Sequence, residues 1–246
     1  MFTPFALALL LQVTVPMVEI PGGHYEPLYR RAGDHSVQVL PFRIDRDPVT
    51  RGDFVQFVRT HPEWRRSNVR GLFADRRGYL ADWRSDLDAG DGDASARPVS
   101  GVSWFAARAF CTARSARLPR LAEWEYAAAA SRAHRDATND AGFVQLLVSM
   151  YTTRQSPRAL AFAADENAYG LRGLHGIGWE WVDDFNSILV SSDSRSIGER
   201  DHDLFCASAA LGAVDPSNFP AFLRYGVRAG LSGRSTLETL GFRCAV

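Results

Sequence analysis

Pro98-Val99-Ser100-Gly101-Val102-Ser103-Trp104-Phe105-Ala106-Ala107-Arg108-Ala109-Phe110-Cys111 is followed closely by Arg117-Leu118-Pro119-Arg120-Leu121-Ala122-Glu123-Trp124-Glu125-Tyr126-Ala127. The spacing predicts two helices. Ser103 is placed to cap the first, whose apolar face is Trp104, Ala107, Phe110 and Cys111. Pro119 ends that unit. The second runs from about Leu121 through Trp124, Glu125 and Tyr126 to Ala130. Two aromatics flank Glu125, where a carboxylate is costly unless it is partnered.

Working toward the N-terminus, Asp82 to Pro98 is polar and rich in Gly and Asp. Its stretch from Asp86 to Asp93 resembles a calcium loop, but Arg97 falls where an EF-hand needs its closing Glu, so a solvated surface loop is expected. Thr50-Arg51-Gly52-Asp53 opens a helix as a capping box with Asp in place of Glu. Phe54, Phe57 and Val58 form that helix's apolar face, and Trp64 packs behind it. Val18 to Pro21 reads as a strand ending in a Gly22-Gly23 turn, and Val37 to Ile44 as a second strand. Toward the C-terminus, Ser131 to Glu166 is weakly patterned, with a short helix over Val144 to Met150. The last eighty or so residues are short apolar pieces between Gly, Ser, Asp and Asn. There is no internal repeat and no βαβ pattern, which leaves a loop-rich α+β domain.

The 246 residues suit one large domain or two small ones, and 46% hydrophobic with 23% charged residues is the composition of a globular protein. A formal net charge of zero argues against nucleic acid as partner. All 28 basic residues are Arg. A GC-rich coding bias accounts for that, yet it removes a Walker-A loop, a pyridoxal Schiff base and a Lys general base, and no nucleotide cofactor is expected. Phe5 to Leu11 is an apolar run too short to span a membrane and of a length that suits a signal-peptide core. Residues 1–16 therefore read as a signal peptide and 17–246 as the domain, with export to the periplasm or medium and no stable membrane insertion after processing. Three cysteines, Cys111, Cys206 and Cys244, suggest one disulfide and one free thiol, and no zinc motif is present.

Four sets of residues, taken together and in order, resemble the formylglycine-generating-enzyme (sulfatase-modifying-factor) superfamily. The first is Val18-Glu19-Ile20-Pro21-Gly22-Gly23, then Asp47-Pro48-Val49-Thr50 and the helix after it. The second is the pair of stretches quoted at the outset. The third is Asn167-Ala168-Tyr169-Gly170-Leu171, then His175-Gly176-Ile177-Gly178-Trp179-Glu180-Trp181. The fourth is Arg224-Tyr225-Gly226-Val227-Arg228, closing in Leu240-Gly241-Phe242-Arg243-Cys244-Ala245. The resemblance implies a variant of the C-type-lectin-like fold with little regular secondary structure. It also implies a structural disulfide between Cys111 and Cys244. Independently of it, Trp104, Trp124, Trp179 and Trp181 are large apolar anchors. Glu125 and Glu180 each need an Arg, backbone N–H groups or a metal, and Arg228 and Arg243 are candidate partners.

The sequence departs from the family where the family's chemistry sits. Family members hold copper(I) between two cysteines near the C-terminus and oxidise a substrate cysteine to formylglycine. Counting back without a gap puts Pro220 at the second cysteine's place. The nearest thiol, Cys206, is the candidate catalytic residue and, with His202 four residues before it, the candidate copper(I) site; on a helix the two would share a face. A small core residue beside Phe205 is the competing reading of Cys206. His175 reads as a packed turn residue rather than a ligand. The family's calcium site resembles Gly176-Ile177-Gly178-Trp179-Glu180, where Ile177 replaces a common Asn and leaves Glu180 as the side-chain ligand. No counterpart of the second calcium loop is recognisable in Ser131 to Glu166.

These departures predict a divergent member, either a metal-dependent oxidase of altered chemistry or a non-enzymatic periplasmic accessory protein. The latter would bind a peptide or a partner enzyme, for example in maturation of a copper enzyme. Sulfoxide synthases and siderophore-maturation proteins belong to the same superfamily, so the fold does not fix the reaction.

Overall fold

The computed structural model describes residues 15–28, 36–90, 92–152, 166–175, 178–186 and 218–246. Its elements are short. β1 (Met17–Ile20) pairs antiparallel with β4 (Phe42–Asp45), and β2 (Gly23–Tyr25) with β3 (Val37–Val39). Val37 to Ile44, expected as a single strand, is thus two strands serving two sheets. Pro41 lies at the break and has no N–H to give a ladder. Gly22 makes the matching turn on the other side with φ +76, and a Cβ there would lie 2.5 Å from the Val39 carbonyl oxygen.

α1 (Arg51–Thr60) opens on the Thr50–Asp53 capping box, in which each residue's side chain bonds the other's backbone N–H at 3.1 Å. Phe54, Phe57 and Val58 face inward. Trp64 ends a 3-10 turn beyond this helix and sits beside Phe73, 6.0 Å between ring centroids. α2 (Trp104–Ala113) is capped by Ser103 and stops before Ser115, which takes a left-handed φ of +55 well ahead of Pro119. α3 (Leu121–Ala128) is two residues shorter than the expectation ending at Ala130. α4 (Ala141–Thr152) is longer than the Val144–Met150 expectation, because Asp140 Oδ1 accepts from Gly142 N and Phe143 N and starts it earlier.

The sequence reading missed α5 (Phe219–Ala229). Its signals were present: Asn218 caps Ala221 N at 3.2 Å, Pro220 occupies the first turn, and Ala221, Arg224, Tyr225 and Arg228 share a buried face. The charged members of that face disguised it. β5 (Trp179–Glu180) and β6 (Leu240–Gly241) pair in parallel.

β1 and the C-terminal segment both bond to β4. Asp45 N bonds the Cys244 carbonyl at 2.8 Å and Val246 N the Arg43 carbonyl at 2.8 Å, so the C-terminal residues extend the β1–β4 sheet. Beneath it Phe54 stacks on Phe110 at 5.8 Å, and Phe242 meets Phe110 edge-on at 5.3 Å. Cys111 and Cys244 are bonded beside this aromatic core, joining α2 to the C-terminal segment. The result is an α+β domain with small sheets and, among the described residues, no closed barrel. Three carboxylates of the Asp-rich loop are taken up by protein donors: Asp86 accepts from Ser67 N and Oγ, Asp88 from Gly90 N, and Asp82 from Arg51. No described helix is long and apolar enough to cross a membrane.

Candidate functional site

Two buried carboxylates organise the interior. Glu125, on α3, receives Arg224 through Nε at 3.1 and 3.0 Å and Nη2 at 2.6 Å, and Arg228 through Nη1 at 2.5 Å. Both arginines come from α5, one turn apart, so a single helix face delivers both. Glu180, on β5, is held by Arg243 Nε at 3.0 and 2.8 Å and Nη2 at 2.8 Å. The remaining N–H groups of Arg243 reach the Asp45, Arg46 and Arg172 carbonyls, which locks its orientation. Burial alone raises a carboxyl pKa, but Arg224 and Arg228 outweigh it and hold Glu125 down at about 2.

Trp124 lies between the clusters, with the Arg228 guanidinium 4.7 Å from its ring centre and its N–H on Glu180 Oε2 at 2.7 Å. Trp181 and Trp104 donate to the Val102 and Val182 carbonyls, at 2.9 and 3.1 Å, and so tie α2 to the segment after β5. Trp179 packs against Tyr151 at 5.2 Å.

A directional relay leads away from Arg224. Its Nη1 donates to Tyr151 Oη at 3.3 Å, and Tyr151 Oη lies 2.7 Å from His175 Nδ1. His175 Nε2 lies 2.9 Å from the Ala128 carbonyl. A carbonyl only accepts, so Nε2 carries the proton and Nδ1 accepts from the Tyr151 hydroxyl. Burial, then the Arg224 charge, push His175 down to about 3, so the ring is neutral at ordinary pH. It is packed among Trp124, Phe143 and Tyr151.

A polar cleft of about 370 Å³ opens above this cluster. Glu125 and Arg224 form part of its floor, and Tyr25, Tyr126, Asn218 and Ala221 stand around it. Pro220, buried in the first turn of α5, immediately precedes the cleft-lining Ala221. A second cleft of about 370 Å³ lies on another face, lined by Trp179, Arg51 and Arg97 among others.

The metal roles implied by the resemblance meet this geometry unevenly. Both Glu180 oxygens are engaged by Arg243 and Trp124, and a carboxylate so saturated by a cation does not fit the calcium role. Among the described residues no group of three or more His, Cys, Asp or Glu could hold a metal ion. Cys206 and His202, the candidate copper(I) ligands, lie outside the described residues, as do Gly176 and Ile177.

Small paired sheets, a cross-domain disulfide and tryptophan-anchored Arg–Glu clusters define an α+β domain held by buried polar networks. The chain belongs to the sulfatase-modifying factor enzyme 1-like domain family, which it matches over residues 12–246. It is 28% identical to the inactive C-alpha-formylglycine-generating enzyme 2 of Bos taurus, over 94% of this chain and 88% of that one. To the formylglycine-generating enzyme of Streptomyces coelicolor it is 27% identical, over 93% and 88%. To the hercynine oxygenase of Mycobacterium tuberculosis it is 31% identical, over 60% of this chain and 39% of the other.

Proposed function

We propose that this chain is a divergent formylglycine-generating-enzyme-like domain, on a variant of the C-type-lectin-like fold, that binds an extended polypeptide without oxidising a cysteine in it. One observation carries the reading. Counting back without a gap from the C-terminal motifs puts Pro220, in the first turn of α5 and next to the cleft-lining Ala221, at the place of the family's second copper-binding cysteine. Proline has no side-chain donor, so a two-thiolate copper(I) site does not fit at this position. The resident groups present hydrogen-bond donors and acceptors at the cleft, which suit peptide backbone and polar side chains. Similarity to a relative described as inactive accords with this reading. The Cys111–Cys244 bond suits an oxidising compartment, so a periplasmic or secreted accessory role is part of the proposal.

The test is incubation of the full chain with a sulfatase-type cysteine peptide, copper and oxygen, followed by mass spectrometry. No aldehyde product is expected. Turnover to formylglycine overturns the reading. A second reading, an oxidase of altered chemistry using Cys206 and His202, is favoured by the similarity to an oxygenase. A copper(I) titration described below tests it.

A further inference from the structure

Charge does not balance around Glu125. Asp45 pairs one to one with Arg114, and Glu180 with Arg243. Glu125, unlike these two, faces two guanidinium groups, Arg224 and Arg228, which are 7% and 5% exposed. This cluster therefore holds one positive charge in excess. Among the described residues no second carboxylate bonds either arginine. The nearest titratable base, His175, stays neutral, burial first and Arg224 next opposing its protonation. A buried cation lacking a counterion is unfavourable, and water or an anion must reach it.

The cleft is the route. Arg224 lines its floor, and among the described residues its hydrogen bonds to Glu125 and Tyr151 use three of the five guanidinium N–H groups, leaving one on each terminal nitrogen. At the rim Asp136 accepts from Thr138 N and Oγ1, at 3.0 and 2.7 Å, and its charge offsets that of Arg135, which lies over the Tyr169 ring at 5.5 Å; Glu26 is itself engaged. The excess at the floor is therefore neither raised nor lowered by the Arg135 and Asp136 pair.

We propose that the floor of this cleft is an anion subsite and that the bound polypeptide sets an acidic side chain, Asp or Glu, against Arg224. The inference rests on the reading of the cleft as a peptide site and adds the chemistry of what fills it. A carboxylate there completes a two-to-two cluster and forms charge-assisted bonds in a site of low dielectric.

The experiment titrates two blocked pentapeptides, Gly-Gly-Asp-Gly-Gly and its Asn counterpart, into the full chain by calorimetry. The Asp peptide binds about tenfold more tightly, and added sodium chloride erodes only that advantage. Arg224→Gln leaves Glu125 paired with Arg228 alone and removes the advantage, whereas Glu125→Gln enlarges it. Equal affinities on the unaltered protein, or an advantage indifferent to salt, overturn the anion subsite while leaving the peptide site standing. Binding of neither peptide overturns both. The salt dependence decides the matter on the unaltered protein if either variant fails to fold.

Discussion

Trp124 gives its indole N–H to Glu180 Oε2 at 2.7 Å, and this contact joins the Glu125 cluster, stacked on the same ring through Arg228, to the Glu180–Arg243 pair. Helix α3, strand β5, helix α5 and the C-terminal segment thereby meet at one side chain. The arrangement exchanges a simple apolar core for a polar one in which each member depends on the others.

Trp124→Phe keeps a ring beneath Arg228 and removes the N–H. Glu180 Oε2 retains Arg243 Nε at 2.8 Å, so the expected loss is about 1–2 kcal/mol, read as a lowered denaturant midpoint with an unchanged slope. Trp124→Ala also empties the ring's volume and costs more, about 3–5 kcal/mol. A Trp124→Phe variant as stable as the unaltered protein would show that the hydrogen bond contributes nothing.

Reduction of the disulfide tests the link between α2 and the C-terminal segment. The bond closes a loop with a sequence separation of 133, for which the chain-entropy relation gives about 5 kcal/mol. Cys111→Ala with Cys244→Ala should lower the melting temperature by a comparable stability loss. Peptide mapping without reductant should recover the Cys111–Cys244 crosslink and an unlinked Cys206. Recovery of a crosslink through Cys206 is the contrary result.

Acid should destabilise the fold in two stages with the same sign. His175 is held at about 3 in the folded state against 6.5 when unfolded, so its contribution is complete above pH 6.5 and is lost as pH falls toward 3. Between pH 7 and 5 that loss is about 2 kcal/mol. Glu125, at about 2 against 4.5, adds a further loss below pH 4.5. In His175→Gln the first stage should vanish and the second remain. A variant whose stability falls between pH 7 and 5 as steeply as the unaltered protein's contradicts the assignment.

Copper(I) affinity of the full chain decides the role of Cys206. Under the oxidase reading Cys206→Ser abolishes binding and His202→Ala weakens it, with little change in metal-free melting temperature. A packed core cysteine gives the reverse pattern: Cys206→Ser lowers the melting temperature and copper is unaffected. If the unaltered protein binds no copper(I), the metal role is finished.

The sequence by itself determined the local elements whose causes are local. Thr50 and Asp53 lie three residues apart and cap α1 whatever surrounds them, and Ser103 does the same for α2. It also determined the family, because the ordered tryptophan, glycine and arginine motifs survive in register along the chain. Tertiary structure decided the rest. Nothing local separates Val37–Val39 from Phe42–Asp45 until their partners in two sheets are known. Helix α5 buries charge, so its inward face carries no apolar stripe to read. Above all, Glu125 finds Arg224 and Arg228 about a hundred residues away, and spacing along the chain says nothing of how many cations converge on one carboxylate. The excess charge beneath the cleft exists only because α5 presents two arginines, one turn apart, to a single acid.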